Sequence, residues 1–326
     1  MKVLFIRFSS IGDIVLTFPV VRCVAAQVPN VTIHYLTKPV YTDLLRACPG
    51  ITAVKNLEES LWKTAQQLRL ENYDYVIDLH HNLRSEIIRR LLGTKSKAFP
   101  KLNFEKWLLT NFNINRLPKK HVVDRYFEAV SELSVKNDDK RTPFLIPTSS
   151  QQFVDEKFDL PEKFIAVSIG AQFATKQIPI EKLIEILQSV DGTVVLLGGK
   201  EDTKRALELT ESLKKNQLIN LCGELPLLSS AYVVSKASKL LTGDTGLMHI
   251  ASFFDVEIIS VWGNTVPDFG MFPYRSKEQA TKDVIFEVDD LSCRPCSKIG
   301  HSSCPKGHFK CMLNQDTKAI VKTIKA

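Results

Sequence analysis

Short apolar, β-branched runs recur along this chain with helical patterns between them, and that order leaves few folds open. Val3–Phe8 reads as a strand and Pro19–Gln27 as part of the helix after it. Val31–Leu36 and Tyr75–Leu79 are further strands, the second following a helix around Leu61–Arg69. The pattern weakens over the basic stretch Leu102–Lys120, which reads as loop-rich, and resumes as a helix at Val122–Leu133. Asn137–Gln152 (NDDKRTPFLIPTSSQQ) has the clustered charges, prolines and small polar residues of a linker. The alternation then restarts, with strands at Phe164–Ser168, Thr193–Leu197, Leu218–Leu221, Lys239–Thr242 and Glu257–Trp262. Helical patterns fall between or after them at Ile180–Gln188, Thr203–Lys214, Ser229–Ser235 and Leu247–Phe254. Strands separated by helices pair in parallel, with helices on both sheet faces. The expectation is therefore an α/β protein of two halves, 1–147 and 148–326, lining a cleft between them. Ligands of open α/β sheets bind at the carboxyl ends of strands, so the strand–helix turns are where chemistry should be sought.

Composition narrows the class of protein. A chain of 326 residues exceeds one typical core, and 44% hydrophobic with 24% charged residues is ordinary for a globular protein. The net charge of +7 suits an anionic substrate or an acidic membrane surface; without aromatic–basic repeats it does not imply a nucleic-acid partner. Arg7 and Asp13 interrupt the apolar N-terminus, which lacks a small-residue cleavage site and reads as strand and helix, not signal peptide. No apolar run approaches the roughly 20 residues that span a bilayer, so a cytoplasmic location is expected. Seven cysteines in this setting suit thiols or metal ligands better than a disulfide framework.

Four turns carry residues with chemical potential. Arg7–Asp13 (RFSSIGD) runs from a strand into a helix and presents Ser10, Gly12 and the carboxylate of Asp13. That carboxylate could cap the helix, or accept a proton from an attacking hydroxyl. The turn Gly243-Asp244-Thr245-Gly246 gathers a carboxylate, a hydroxyl and helix-start amides, with the His249 imidazole one helical turn on. Such amides seat phosphate, although Asp244 or Thr245 could equally be a plain N-cap. Gly170-Ala171-Gln172 opens a polar loop that ends near Lys176, which suits a phosphate grip but is neither a Walker A loop nor a G-x-G-x-x-G fingerprint. Gly198-Gly199 leads tightly into Lys200 and Glu201. Asp78–Ser85 sets His81, Asn82 and Arg84 at another strand end. The tail cysteines Cys293, Cys296, Cys304 and Cys311 are spaced C-x2-C-x7-C-x6-C, a pattern a structural zinc can use but short for a zinc ribbon.

Taken together and in this order, these segments resemble glycosyltransferase family 9, the ADP-heptose:lipopolysaccharide heptosyltransferases. The resemblance spans RFSSIGDIVLTFPVVRCV, DLHHNLRS, HVVDRYFEAV, SIGAQFATKQIP, the GDTGLMHIAS…VWGNTVP block and the tail CRPCSKIGHSSCPKGHFKCM. It implies two Rossmann-like domains of glycosyltransferase B architecture, the first binding acceptor and the second binding donor, with the last helix a candidate to pack back on the first. It implies inverting, metal-independent transfer of a heptose or related sugar from an ADP-sugar. The acceptor would be an anionic, lipid-linked core saccharide, reached by peripheral contact at the inner face of the inner membrane. By the same resemblance Asp13 is the general base and Lys176 stabilises the leaving diphosphate with the Thr245–Gly246 amides. Ser10, Gly12, Gly170, Ala171 and Gln172 join the donor site with Asp244 and His249, while Lys200 or Glu201 and Leu225 lie where the nucleoside packs. His81, Asn82, Arg84 and Arg125 face the acceptor, within basic stretches that suit phosphate. Where relatives carry a Thr-Thr pair before the lysine, this chain has Ala171-Gln172. No cofactor is required, and a zinc on the tail cysteines is the alternative. Two other readings are a transferase using a different sugar nucleotide for another surface polysaccharide, and an idle relative acting as a binding protein.

Overall fold

A computed structural model of the chain describes residues 1–213, 217–279 and 282–326. Lys214, where the helix from Thr203 is expected to end, lies outside them. The chain forms two compact units. One contains Met1–Lys101, Lys120–Leu145 and Tyr274–Glu278; the other contains Leu102–Lys119, Ile146–Pro273 and Gln279–Ala326.

The first unit is built on β1 (Lys2–Ile6), β2 (Thr32–Thr37), β3 (Ile51–Asn56), β4 (Tyr75–Asp78) and β5 (Ser96–Ala98), in the order β3-β2-β1-β4-β5. Every pairing is parallel. The central strand β1 is apolar on both faces, with Val3, Leu4, Phe5 and Ile6 fully buried, as a sheet covered by helices on both sides requires. The helix Leu61–Arg69 starts where the Ser60 side chain accepts from the Lys63 amide, and Asn82 caps Leu83–Leu92 through the Ser85 amide.

The second unit carries β6 (Phe164–Ser168), β7 (Thr193–Leu197), β8 (Leu218–Asn220), β9 (Lys239–Gly243), β10 (Glu257–Trp262) and β11 (Val284–Glu287). Their order is β11-β10-β9-β6-β7-β8, again all parallel. Alternate residues face opposite layers: Val167, Val194 and Leu196 join one core, Ala166, Val195 and Leu197 the other. The last helix, Thr317–Lys325, lays Ile320 and Ile324 into the first of these cores.

Several expectations need correction. The stretch read as loop-rich contains the helix Asn103–Phe112. Its start carries no side-chain cap, with Leu102 at positive φ (54°), whereas Asn113 (φ 56°) ends it as a left-handed cap whose amide reaches the Leu109 carbonyl at 3.1 Å; only Leu109 on it is buried. The linker reading of 137–152 fails from Thr148, where the helix Thr148–Lys157 begins after Pro147. Strands β3, β5 and β11 had no expectation at all; each is a sheet edge of half-buried or exposed residues without the fully buried apolar run of the central strands.

Candidate active site

In the first unit, β1 delivers Arg7 and then the turn to Asp13. Ser10 is the N-cap of the short helix Ile11–Val15, and Gly12 is buried in its first turn. Asp13 Oδ2 accepts from the Ser10 hydroxyl (2.9 Å) and the Ser10 amide (3.3 Å), while Oδ1 meets the Arg7 guanidinium at 2.5 Å. Arg7 is nearly buried and donates to the Ser9 (2.8 Å) and Leu79 (2.6 Å) carbonyls. Burial opposes its charge most, but the Asp13 carboxylate together with Tyr126 and Tyr35 outweighs it and holds the Arg7 pKa above its ordinary value. The capping and base readings of Asp13 are therefore compatible: the contacts that complete the turn also fix the carboxylate.

Next to this turn, His80 packs on Phe8 with ring centroids 4.7 Å apart. Burial first, then the charges of Arg7 and Lys101, push its pKa down to about 3. The folded ring stays neutral, while an unfolded His80 takes up a proton below its ordinary 6.5. Its contribution is complete above that value and is lost as pH falls towards 3. We expect His80→Phe, which keeps the ring without the titration, to lose less melting temperature between pH 7 and about 4 than the wild-type chain does. An identical pH slope in both proteins refutes this assignment.

The acceptor-side candidates divide. His81 and Arg84 are exposed, with His81 Nδ1 2.7 Å from the Phe99 carbonyl. Asn82 is engaged in its capping box with Ser85. Arg125, by contrast, is 2% exposed inside the helix Val122–Glu128, and burial lowers its pKa.

In the second unit, β9 ends at Gly243, where a Cβ would come within 2.2 Å of the Lys176 carbonyl; only glycine lets these two turns approach. That approach places Lys176 Nζ 2.6 Å from Asp244 Oδ2. The same oxygen accepts from the Thr265 hydroxyl at 2.8 Å. Asp244 and Thr265 are 8% and 2% exposed. The helix cap is Thr245: its hydroxyl accepts from the Met248 amide at 3.3 Å and lies 2.9 Å from Thr242 Oγ1. Asp244 is thereby released from capping. Gly246 starts the helix, and His249 is buried within it.

The neighbouring turns are equally tight. A Cβ on Gly170 would fall 2.0 Å from Asp202 Oδ2, which accepts from the Gly199 amide at 2.8 Å. Burial raises the Asp202 pKa, and that amide offsets part of the shift. Ala171 is half-buried and accepts from Gln177, Gln172 is exposed, Lys200 and Glu201 are exposed, and Leu225 is half-buried against the core.

Residues of the tail that carried no sequence expectation brace this cluster. Arg294 donates to the carbonyls of Gly263 (2.7 Å) and Thr265 (3.0 Å) and pairs with Glu287 at 2.7 Å. His301 and Thr175 exchange three hydrogen bonds, of 2.8, 3.2 and 3.2 Å, beside Lys176. Among the described residues no group of three or more histidine, cysteine or acidic side chains is arranged to hold a metal. Burial pushes the Cys311 thiol up to about 11 and also raises Cys296.

Two parallel α/β units of Rossmann type are the architecture of the B class of glycosyltransferase fold. The family model for glycosyltransferase family 9 (heptosyltransferase) matches residues 61–304, and the chain belongs to that family. It is 22% identical to lipooligosaccharide heptosyltransferase 2 of Campylobacter jejuni over 336 aligned residues, covering 100% of this chain and 98% of that one. It is 24% identical to lipopolysaccharide heptosyltransferase 1 of Pseudomonas aeruginosa, covering 91% and 86%. Among solved structures, a family 9 glycosyl transferase from Veillonella parvula superposes with a TM-score of 0.78 at 18% identity, covering 99% and 96%. The E. coli heptosyltransferase WaaC with ADP gives 0.69 at 19%, covering 100% and 99%. These superpositions establish the fold.

Proposed function

We propose that this glycosyltransferase moves a heptose from ADP-heptose to a sugar of a lipopolysaccharide core, with inversion and without a metal. The observation that carries the reading is the convergence of Lys176 and Thr265 on one oxygen of Asp244 at the end of β9. A lysine ammonium has three donors and spends one on Asp244, so two remain for a diphosphate. The Thr245–Gly246 turn adds backbone donors, and Asp244 Oδ1 and His249 serve the sugar and phosphates. Lys200 or Glu201 and Leu225 take the nucleoside. Relatives named as lipopolysaccharide or lipooligosaccharide heptosyltransferases, and one solved with ADP, support the choice of donor and acceptor.

In the proposed reaction Asp13 accepts the acceptor's hydroxyl proton, and the oxygen bonds to the anomeric carbon. The bond from that carbon to the β-phosphate oxygen breaks, its electron pair leaving on ADP. Lys176 and the turn amides stabilise the charge that grows there. His81 and Arg84, exposed beside the first unit's turns, bind the acceptor's anionic groups. The acceptor's lipid brings the protein to the inner face of the inner membrane.

The donor assignment is tested by melting the full chain with nucleotides in EDTA buffer. Stabilisation grows as RT ln(1 + [L]/Kd), so ADP at about a hundredfold over its Kd adds roughly 2.7 kcal/mol. ADP and ADP-heptose should raise the melting temperature while UDP, GDP and CDP leave it unchanged. Stabilisation by UDP, GDP or CDP in place of ADP overturns the donor, and no response to any of them overturns the nucleotide site.

A further inference from the structure

The helix Asn103–Phe112 belongs to the second unit, yet it is unusually apolar on its outside. Leu109 is its one buried residue, and the Asn115–Asp268 hydrogen bond (2.5 Å) with Lys106 5.9 Å over the Phe269 ring ties the segment to its own unit. Phe104, Trp107, Phe112 and Ile114 are left 62, 48, 58 and 45% exposed. The three rings form one continuous patch: Phe104 stacks on Trp107 at 6.1 Å, and Trp107 meets Phe112 edge-on at 5.1 Å. Within Leu102–Lys119 the charged residues are Lys106, Arg116 and Lys119 against a single acid, Glu105. Arg116 and Lys119, which follow the rings in sequence, are exposed.

Water-exposed Phe and Trp at this density cost free energy unless something covers them. A protein partner would favour a dry aromatic centre with charge kept to a polar rim. Here cations follow directly on the aromatics, the pattern of segments that lie in a bilayer interface, with rings at headgroup depth and Lys or Arg on anionic phosphates. We propose that Asn103–Lys119 is a docking surface for an anionic lipid bilayer, with Phe104, Trp107, Phe112 and Ile114 entering the interface and Arg116 and Lys119 meeting phosphate. The inference deepens the reading of a lipid-linked acceptor and rests on it: docking would hold the enzyme where that acceptor is embedded.

The test is co-sedimentation of the full chain with vesicles of phosphatidylethanolamine and phosphatidylglycerol, beside vesicles of phosphatidylcholine alone. The chain should bind the anionic vesicles and not the neutral ones. A Phe104→Ser/Trp107→Ser variant and an Arg116→Glu/Lys119→Glu variant should each bind at least about tenfold more weakly at unchanged melting temperature. Failure to bind anionic vesicles, or binding that neither variant weakens, overturns the proposal. So does a wild-type dimer that the Phe104→Ser/Trp107→Ser change splits, because a second copy would then be the occupant. Transfer from ADP-heptose to a soluble, lipid-free core saccharide separates the two readings: activity there without vesicle binding discards the docking surface and leaves the transferase reading intact.

Discussion

Asp13→Asn is expected to lower kcat by about a thousandfold while leaving ADP binding unchanged. An amide of nearly the same shape cannot take the acceptor's proton, so the loss should appear in the chemical step. The substitution has a structural side as well. Both carboxylate oxygens are engaged, one by Arg7 and the other by Ser10, and an asparagine can accept from only one of them. Some melting temperature should therefore go with the activity. Ser10→Ala provides the comparison, since it removes a hydrogen bond from the same carboxylate and leaves the base in place; its kcat should fall only severalfold. Equal losses in the two variants would mean that Asp13 serves the turn and not the reaction, and retention of transfer in Asp13→Asn would exclude it as the base.

The turn at Asp13 also shows where sequence reading reaches its limit. The centres of both sheets were legible because parallel strands buried on two faces are unbroken apolar runs, and Phe164–Ser168, Thr193–Leu197 and Glu257–Trp262 fall where the pattern puts them. The edges β3, β5 and β11 bury less; β3 and β5 mix threonine, lysine, asparagine or serine with their apolar residues and β11 offers only the short run Val284–Phe286, so periodicity has little to detect. Helix Asn103–Phe112 was missed for a related reason: its aromatics point outward, which breaks the link between apolar spacing and burial. The glycine-rich turns marked the candidate site, but the partners that set it are distant in sequence. Asp244 is joined to Thr265 across 21 residues, and Thr175 to His301 across 126. Arg294, lying within a cysteine-rich tail that suggested metal, gave no local sign that its guanidinium would hold the Gly263–Thr265 turn.

That bracing makes Lys176→Met the second large expected effect. Arg294 and His301 hold the turns on either side, so the lost ammonium should not be replaced by a shift of the backbone. The methionine keeps the apolar stem and removes the charge. With no cation to meet the leaving diphosphate, kcat should fall by about a hundredfold to a thousandfold. ADP should also bind more weakly. The variant leaves the largely buried Asp244 carboxylate with the Thr265 hydroxyl alone, and a buried charge deprived of its partner destabilises the fold. Melting temperature will consequently drop, and that drop by itself says nothing about catalysis. The double variant Lys176→Met/Asp244→Asn resolves the two roles, because it removes the stranded charge together with its counter-ion. Stability should return towards wild type while transfer stays at least as low as in Lys176→Met. If the double variant instead recovers activity with its stability, Lys176 is only the structural counter-ion of Asp244, and the diphosphate's charge must be met by other groups.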